Sequence, residues 1–206
     1  VSTSNNNLDF YAYFRSLDSI TQVLDLELEL PSFPTIKGYI REKNQQIGLQ
    51  AFIPYINTSG TKMEDVTIAL DNQDDQLGLS ISLLNHLPKN NPTAAKLGDI
   101  KAKIYLNAQD DELDLLVNLG NTDSVRNEGV IHAISKLSTY NNQSQLDIQI
   151  LPSNFILNDS AWSIGQSTIT YIPTNKLVKI NDFALNTEYQ SITINGRGSE
   201  LATDSL

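Results

Sequence analysis

The sequence predicts a mostly all-β protein, built as an antiparallel meander of repeated hairpins that curls into an open groove. Three observations support this prediction: strict alternation of apolar and polar residues, acidic turns between the alternating runs, and an internal repeat of about 36 residues. The alternative architecture is a closed β-sandwich, in which a second sheet covers the apolar face.

The clearest hairpin occupies residues 100–119, with its turn at residues 109–111. Apolar residues occur at every second position of its two strands, at Ile100, Ala102, Ile104, Leu106, Leu113, Leu115, Val117 and Leu119. Because side chains on a strand alternate between faces, this hairpin has one apolar surface and one wet surface. The apolar surface must be buried against something, either another sheet or a ligand.

The same combination of outgoing strand, turn and returning strand recurs along the chain. Residues 70–79 resemble residues 106–115, and looser copies occupy residues 137–150 and 167–180. The turns contain Asp, Asn and Pro, which tolerate or preset turn dihedrals. The sequence therefore predicts repeated hairpins that add length in one direction.

The beginning of the chain departs from this pattern. Residues 1–7 form a polar lead-in, and the repeating β region extends over residues 8–206. Apolar spacing in residues 8–21 predicts one short N-terminal amphipathic helix, although its aromatic residues also suit a strand. Alternation in residues 24–30 predicts a half-buried strand, and residues 47–53 predict the next one, ending at Pro54. The chain begins at Val1, and we interpret it as a piece of a longer protein.

Composition excludes several classes of function. The net charge of −10 leaves no basic stripe to displace counterions from phosphates, which argues against nucleic acid as a partner. The same charge disfavours simple electrostatic docking on an anionic membrane. The absence of cysteine excludes disulfides and thiolate metal sites, but it does not identify the compartment.

The residues also lack a set that would predict catalysis. The acidic turns do not have the ligand spacing of an EF-hand loop, so we interpret them as solvated hairpin turns. His86 lies in a predicted loop and His132 in a predicted strand, neither with a carboxylate at ligand spacing. No nucleophile motif such as G-x-S-x-G occurs. We therefore predict a protein that is not an enzyme and that uses no cofactor and no metal.

Two further features have ordinary structural interpretations. Residues 196–198, Gly-Arg-Gly, lack the third glycine of a phosphate-binding loop, and we predict a turn there. Trp162 is the only tryptophan, and we predict a core or sheet-edge aromatic at this position rather than a ligand platform.

A resemblance to a known family rests mainly on the residues after Leu151. The motifs in order are FILNDSAWSI (155–164), TITY (168–171), VKINDFAL (178–185) and QSITING (190–196). Earlier in the chain, LELP (28–31), IKGYI (36–40) and IGLQAFIP (47–54) follow a second pattern. In order and spacing, the chain resembles the TamB family (translocation and assembly module, AsmA-like superfamily), closest to the Asn-rich versions from Bacteroidetes-type bacteria.

The resemblance implies an internal or C-terminal-side segment of a periplasmic β-taco, a trough lined by aliphatic side chains that carries phospholipid acyl chains between the inner and outer membranes. It further implies a role in outer-membrane biogenesis and in protein secretion. An inner-membrane anchor and a contact with an outer-membrane barrel assembly protein would belong to parts outside this sequence.

The repeated hairpins identify candidate residues for such a groove. They are Leu77, Leu79, Ile81, Ile100, Ile104, Leu106, Leu113, Leu115, Val117, Leu119, Leu146, Ile148 and Ile150. A dry aliphatic lining would hold acyl chains without polar contacts. If the fold is instead a closed sandwich, the same residues form an ordinary core, and the protein is a binding or adhesion module at the cell surface.

Overall fold

The computed structural model describes residues 7–15, 34–58, 61–73, 76–86, 99–121, 125–140 and 143–199. These residues form fourteen β-strands and two single-turn 3-10 helices, Glu42–Asn44 and Pro173–Asn175. The strands are β1 (Asn7–Tyr13), β2 (Thr35–Arg41), β3 (Gln46–Thr58), β4 (Thr61–Gln73), β5 (Gln76–His86), β6 (Ile100–Gln109), β7 (Glu112–Asn121), β8 (Glu128–Tyr140), β9 (Gln143–Ile150), β10 (Ser153–Leu157), β11 (Ser160–Ile164), β12 (Ser167–Ile172), β13 (Leu177–Asn186) and β14 (Ser191–Ser199).

All fourteen strands belong to one antiparallel sheet, which confirms the predicted meander. β1 to β8 follow one another in chain order. β8 then pairs with both β9 and β10, and β13 pairs with both β12 and β11. β9 with β10, and β11 with β12, therefore each act as one long, interrupted strand. β1 and β14 are not paired with each other, so the described sheet is open, and the two packed sheets of the sandwich alternative are not present.

The four predicted hairpins all form. Their strands are in the expected register, with Leu70 opposite Leu79, Leu106 opposite Leu115, Leu137 opposite Leu146, and Tyr171 opposite Val178. These pairs form because a shift of one residue in register would move the apolar side chains of one strand to the opposite face from those of its partner.

Turn residues with positive φ connect several of these strands. Asn158 (φ 50°) and Asp159 (φ 60°) form the two-residue connection between β10 and β11, where a tight hairpin requires left-handed backbone at both positions. Asp110 (φ 53°) serves the turn between β6 and β7. Gln45 and Lys176 each follow a 3-10 helix in the same conformation. Asn and Asp tolerate this conformation best among residues other than glycine.

A row of bulges crosses the last strands of the sheet at one level. Residues 151–152, 165–166 and 181–182 interrupt three adjacent paired strands, each of which has one extra residue there. The freed backbone groups still find partners: Leu151 N donates to His132 O at 2.9 Å, and Asp182 N donates to Asn195 Oδ1 at 2.6 Å. Each extra residue keeps the apolar side chains on both sides of the interruption on one face.

The predicted N-terminal helix is wrong over the described residues. Residues 7–13 form β1, which pairs with β2 along its whole length. Leu8, Phe10 and Ala12 lie opposite the apolar side of β2, so a period of two explains these positions. Sheet pairing outweighs the weak helical spacing. The rest of the predicted helix (16–21) and the predicted strand at 24–30 lie outside the described residues.

The strand predicted at residues 47–53 exists as β3, but it does not end at Pro54. β3 continues to Thr58 because Pro54 lies beyond Phe52, the last residue that pairs with β2. Proline is tolerated where no ladder hydrogen bond is needed on that side. Opposite it, β4 has a bulge at Asp65 (φ 51°).

Two other predictions need correction. Residues 196–198 do not form a turn; they lie in β14, where Arg197 pairs with Lys179. A Cβ at Gly196 or Gly198 would meet no atom within 4 Å, so packing does not require glycine at either position. His86 is not in a loop but is the last residue of β5.

Candidate functional site

All thirteen predicted lining residues lie on one face of the sheet. Residues directly opposite each other in an antiparallel pair point to the same side. Leu79 lies opposite Leu106, which lies opposite Leu115. Counting by twos along the paired strands places the other ten on the same side: Leu77, Ile81, Ile100, Ile104, Leu113, Val117, Leu119, Leu146, Ile148 and Ile150. We call the side with these thirteen residues the apolar face.

The apolar face extends well beyond the hairpins that predicted it. The same register adds residues of β2 to β4 and of β10 to β14, including Ile36, Leu49, Ile68, Leu70, Phe155, Trp162, Ile169, Ile180, Phe183 and Ile194. The bulge in β4 makes Glu64 and Lys62 ambiguous positions. Glu64 lies opposite Tyr55 of β3 and opposite Leu84 of β5, which belong to different faces by the count along their strands, and the same holds for Asn57 and His86 opposite Lys62. At the other paired positions of the described strands, no Asp, Glu, Lys or Arg lies on this face, so the face is continuous and uncharged away from that bulge.

The apolar face remains partly exposed. None of its thirteen predicted residues is buried; Leu77 is 45% exposed, and Leu113 and Leu119 are each 37% exposed. Among the described residues, the buried apolar side chains are Ala51, Val66, Ala133, Ile164 and Ile172. In a closed sandwich, inward Leu and Ile side chains would interdigitate with a second sheet. Here they lie against each other within one layer and keep an open side.

An uncharged polar rim borders the apolar face where β7 and β8 are connected. Asn121 Nδ2 donates to Val125 O at 2.7 Å, and Asn121 Oδ1 accepts from Asn127 N at 3.1 Å. Asn127 Oδ1 then accepts from Asn158 N at 2.9 Å. These side-chain amides hydrogen-bond to backbone groups in the β7–β8 and β10–β11 connections and hold the two connections together at the end of the apolar face. We call Asn121, Asn127 and Asn158 the amide rim.

Two aromatic side chains lie between the amide rim and the aliphatic part of the apolar face. Phe155 and Trp162 are directly opposite each other, with ring centroids 6.3 Å apart and planes 6° from parallel. Gly129 and Leu119 continue the same row. These four residues contribute to a pocket of about 530 Å³, whose other lining residues are the intervening positions Asn118, Glu128, Val130, Asn154, Ile156 and Ala161. The prediction for Trp162 did not place it on this face, because β10 and β11 interrupt the simple repeat.

The opposite face, which we call the polar face, holds the titratable groups. His86 Nε2 lies 2.8 Å from Glu64 Oε2, and His86 Nδ1 lies 2.8 Å from Asp99 Oδ2. Lys62 pairs with the other oxygen of Glu64. The Glu64 hydrogen bond, followed by that of Asp99, raises the pKa of His86 despite partial burial. Lys62 and then His86 lower the pKa of Glu64.

Both histidines therefore have carboxylate partners that sequence spacing did not indicate. His132 Nε2 lies 2.9 Å from Asp114 Oδ1, a residue of the neighbouring strand. Glu64 and Asp114 come from neighbouring strands and Asp99 from the residue before β6, 13 to 22 positions away from the histidine that each contacts, so a search for local ligand spacing does not find them. Each pair joins adjacent strands on the polar face.

A third polar group on this face is centred on Asp147. Its carboxylate accepts hydrogen bonds from Gln145 Nε2 (2.7 Å), Thr170 Oγ1 (2.8 Å) and Ser138 Oγ (3.1 Å). Burial raises the pKa of Asp147, but the three hydrogen bonds together outweigh it and lower the pKa. The group connects β8, β9 and β12.

The described sheet therefore has an apolar face with open space above it and a polar face with two histidine–carboxylate pairings and the Asp147 group. The described residues contain no group of three or more His, Cys, Asp or Glu side chains placed to hold a metal ion. Within the same ranges, no helix is both long enough and apolar enough to cross a bilayer. Comparison with family models, curated proteins and solved structures finds no match for this chain.

Proposed function

We propose that this chain is a segment of a non-enzymatic lipid conduit that spans the periplasm and moves phospholipid between the inner and outer membranes. The observation that supports this proposal most directly is the continuous, uncharged and partly exposed apolar face. An exposed acyl chain costs roughly 0.8 kcal/mol per CH₂ in water, so an aliphatic surface of this kind binds it without polar contacts. The resemblance of the sequence motifs to those of the TamB family favours the same function.

The composition of the apolar face suits transport better than tight storage. Leu, Ile and Val side chains repeat along it, and in β5 to β7 no charged group that would hold a phosphate or an amine lies on this face. A surface with nearly uniform affinity allows a bound chain to move between equivalent positions. In this proposal the segment is periplasmic and belongs to an inner-membrane-anchored protein, and lipid delivery supports outer-membrane and secreted protein assembly.

Lipid content of the purified protein tests the proposal. Native mass spectrometry should show species heavier than the bare chain by the mass of phospholipid, and organic extraction should recover that lipid. The purified protein should also take up a fluorescent phospholipid from vesicles. A protein of bare mass, with no lipid in the extract and no uptake from vesicles, would contradict the proposal and favour a protein-binding module.

A further inference from the structure

The row of Phe155, Trp162 and Gly129 is the place where the apolar face changes character. On one side of this row are aliphatic side chains such as Leu115 and Val117, and beyond its other side are the amides of the rim. A phospholipid changes from hydrocarbon to polar headgroup across its ester and glycerol region. The protein surface and the lipid therefore have the same order of polarity.

Tryptophan suits such a boundary because its ring is apolar and its indole N–H is a hydrogen-bond donor. Trp162 is only partly buried, and within the described chain no hydrogen bond from its Nε1 to a protein acceptor is present. The donor is thus free to bind an ester carbonyl. The parallel ring of Phe155 extends the flat surface beside it.

The missing side chain at Gly129 allows Phe155 to pack directly against the backbone of β8. A Cβ at position 129 would stand 2.1 Å from Phe155 Cβ, so only glycine permits this approach. A pocket of about 530 Å³ at this place is lined by Leu119, Phe155 and Trp162, together with polar neighbours that include Glu128 and Asn154. This volume is within the range of pockets that hold small organic groups.

The span of the strands fits an acyl chain that starts at this row. Leu119 and Leu113 are six residue steps apart along β7, a distance of about 20 Å at 3.3 Å per step. This distance is comparable to the length of an extended long acyl chain. At the far end, the apolar face reaches Leu146 and Tyr171.

We infer that Phe155 and Trp162 form a seat for the ester and glycerol region of a bound phospholipid, with the acyl chains directed along the strands toward Leu113. This inference rests on the proposed lipid-binding function and adds an orientation to it. The headgroup then lies beside the amide rim, where the same connections also carry Asp159 and the ion pair of Arg126 with Glu128.

Trp162 is the only tryptophan, so its fluorescence reports on this seat alone. The protein is loaded with phosphatidylcholine that carries bromine, a contact quencher, near the ester end, at mid-chain, or near the methyl end of one acyl chain. Native mass spectrometry of each sample measures the amount of bound lipid. At equal loading, we expect quenching to be strongest for bromine near the ester end and at least about twofold weaker for bromine near the methyl end.

A relocated tryptophan provides the matched control. In the double variant Trp162→Phe, Tyr171→Trp, the single indole moves to the far end of the apolar face, where Tyr171 is 36% exposed. The quenching order should then reverse. The variant Phe155→Leu keeps Trp162 but removes half of the seat, and it should flatten the dependence on bromine position.

The outcomes separate this inference from the proposed function. Loaded protein in which quenching is equal at all bromine positions, or strongest near the methyl end, would overturn the seat while leaving lipid binding intact. Protein that carries no lipid in the mass spectrum would overturn both.

Discussion

Leu115 lies directly opposite Leu106 in the β6 and β7 pair, and both side chains belong to the apolar face. Leu116, the next residue, lies opposite Tyr105 on the polar face. Leu115 and Leu116 are both only partly buried, so these two neighbouring positions differ mainly in the face to which their side chains belong. This relationship allows the apolar face to be tested without confusing lipid binding with folding.

The variant Leu115→Glu should lose lipid while the protein still folds. A carboxylate in the middle of the aliphatic surface removes a contact of about 1.5–3 kcal/mol, so bound phospholipid should fall at least roughly tenfold. Because Leu115 is partly exposed, we expect unfolding to become easier by only about 1–2 kcal/mol. Lipid extraction and urea denaturation measure the two effects.

The control for that experiment is Leu116→Glu, which places the same charge on the polar face of the same strand. It should keep its lipid. Equal lipid loss in both variants, or complete unfolding of Leu115→Glu, would contradict an open apolar face.

The variant Gly129→Ala should destabilise the region around Phe155. The added Cβ would lie 2.1 Å from Phe155 Cβ and 2.8 Å from Phe155 Cα, so the two strands must separate. Overpacking of this kind costs about 1–3 kcal/mol, and the urea midpoint should fall accordingly. Gly120→Ala is the matched control, because nothing lies within 4 Å of a Cβ there, and its stability should change by less than about 0.5 kcal/mol.

The natural chain should lose stability as pH rises from mildly acidic to basic values, and the variant His86→Gln should lose less over the same range. The raised pKa of His86 means that the folded state holds its proton more tightly than the unfolded state. Its contribution is complete below the unfolded value near pH 6.5 and disappears as pH rises through the folded pKa. Urea midpoints between about pH 6 and pH 9 should therefore fall more in the natural chain than in the variant. A parallel decline in the two proteins would contradict the role of this pair.

The variant Asp147→Asn should be less stable at neutral pH and less sensitive to acid. Its lowered pKa gives a contribution that is present above the unfolded value near 3.9 and is lost as pH falls through the folded pKa. The amide cannot accept from all three donors, which costs about 1–3 kcal/mol.

Asp110→Asn provides the control for this substitution. Asp110 is exposed in a turn at φ 53°, a conformation that Asn tolerates well, so its stability should remain within about 0.5 kcal/mol of the natural chain. Similar losses in both variants at neutral pH would contradict the specific role of Asp147.

Much of the fold was predictable because alternation is a local property. The pairs Leu70 with Leu79 and Leu106 with Leu115 follow from apolar residues two apart on both sides of a short turn. The first strand was mistaken for a helix because Leu8, Tyr11 and other apolar residues fit either period. Its pairing with β2 involves residues more than 20 positions away, which a short window cannot include.

The candidate site divides in the same way. Membership of the apolar face was predictable for thirteen residues, since each belongs to an alternating strand. The position of Trp162 on that face was not, because bulges at residues 151–152 and 165–166 shift the count by one. The partners of His86 and Asp147 come from separate strands and depend on the whole register.

By itself, the sequence determined that these strands are amphipathic, where they turn, and which side chains share a surface, because each of these properties depends on neighbours a few residues apart. Only the tertiary structure decided that no second sheet covers the surface in the described chain, and that aromatic rings stand at its polar boundary. Those outcomes depend on which distant strands pair and on how bulges add up across the sheet, and no local pattern contains that information.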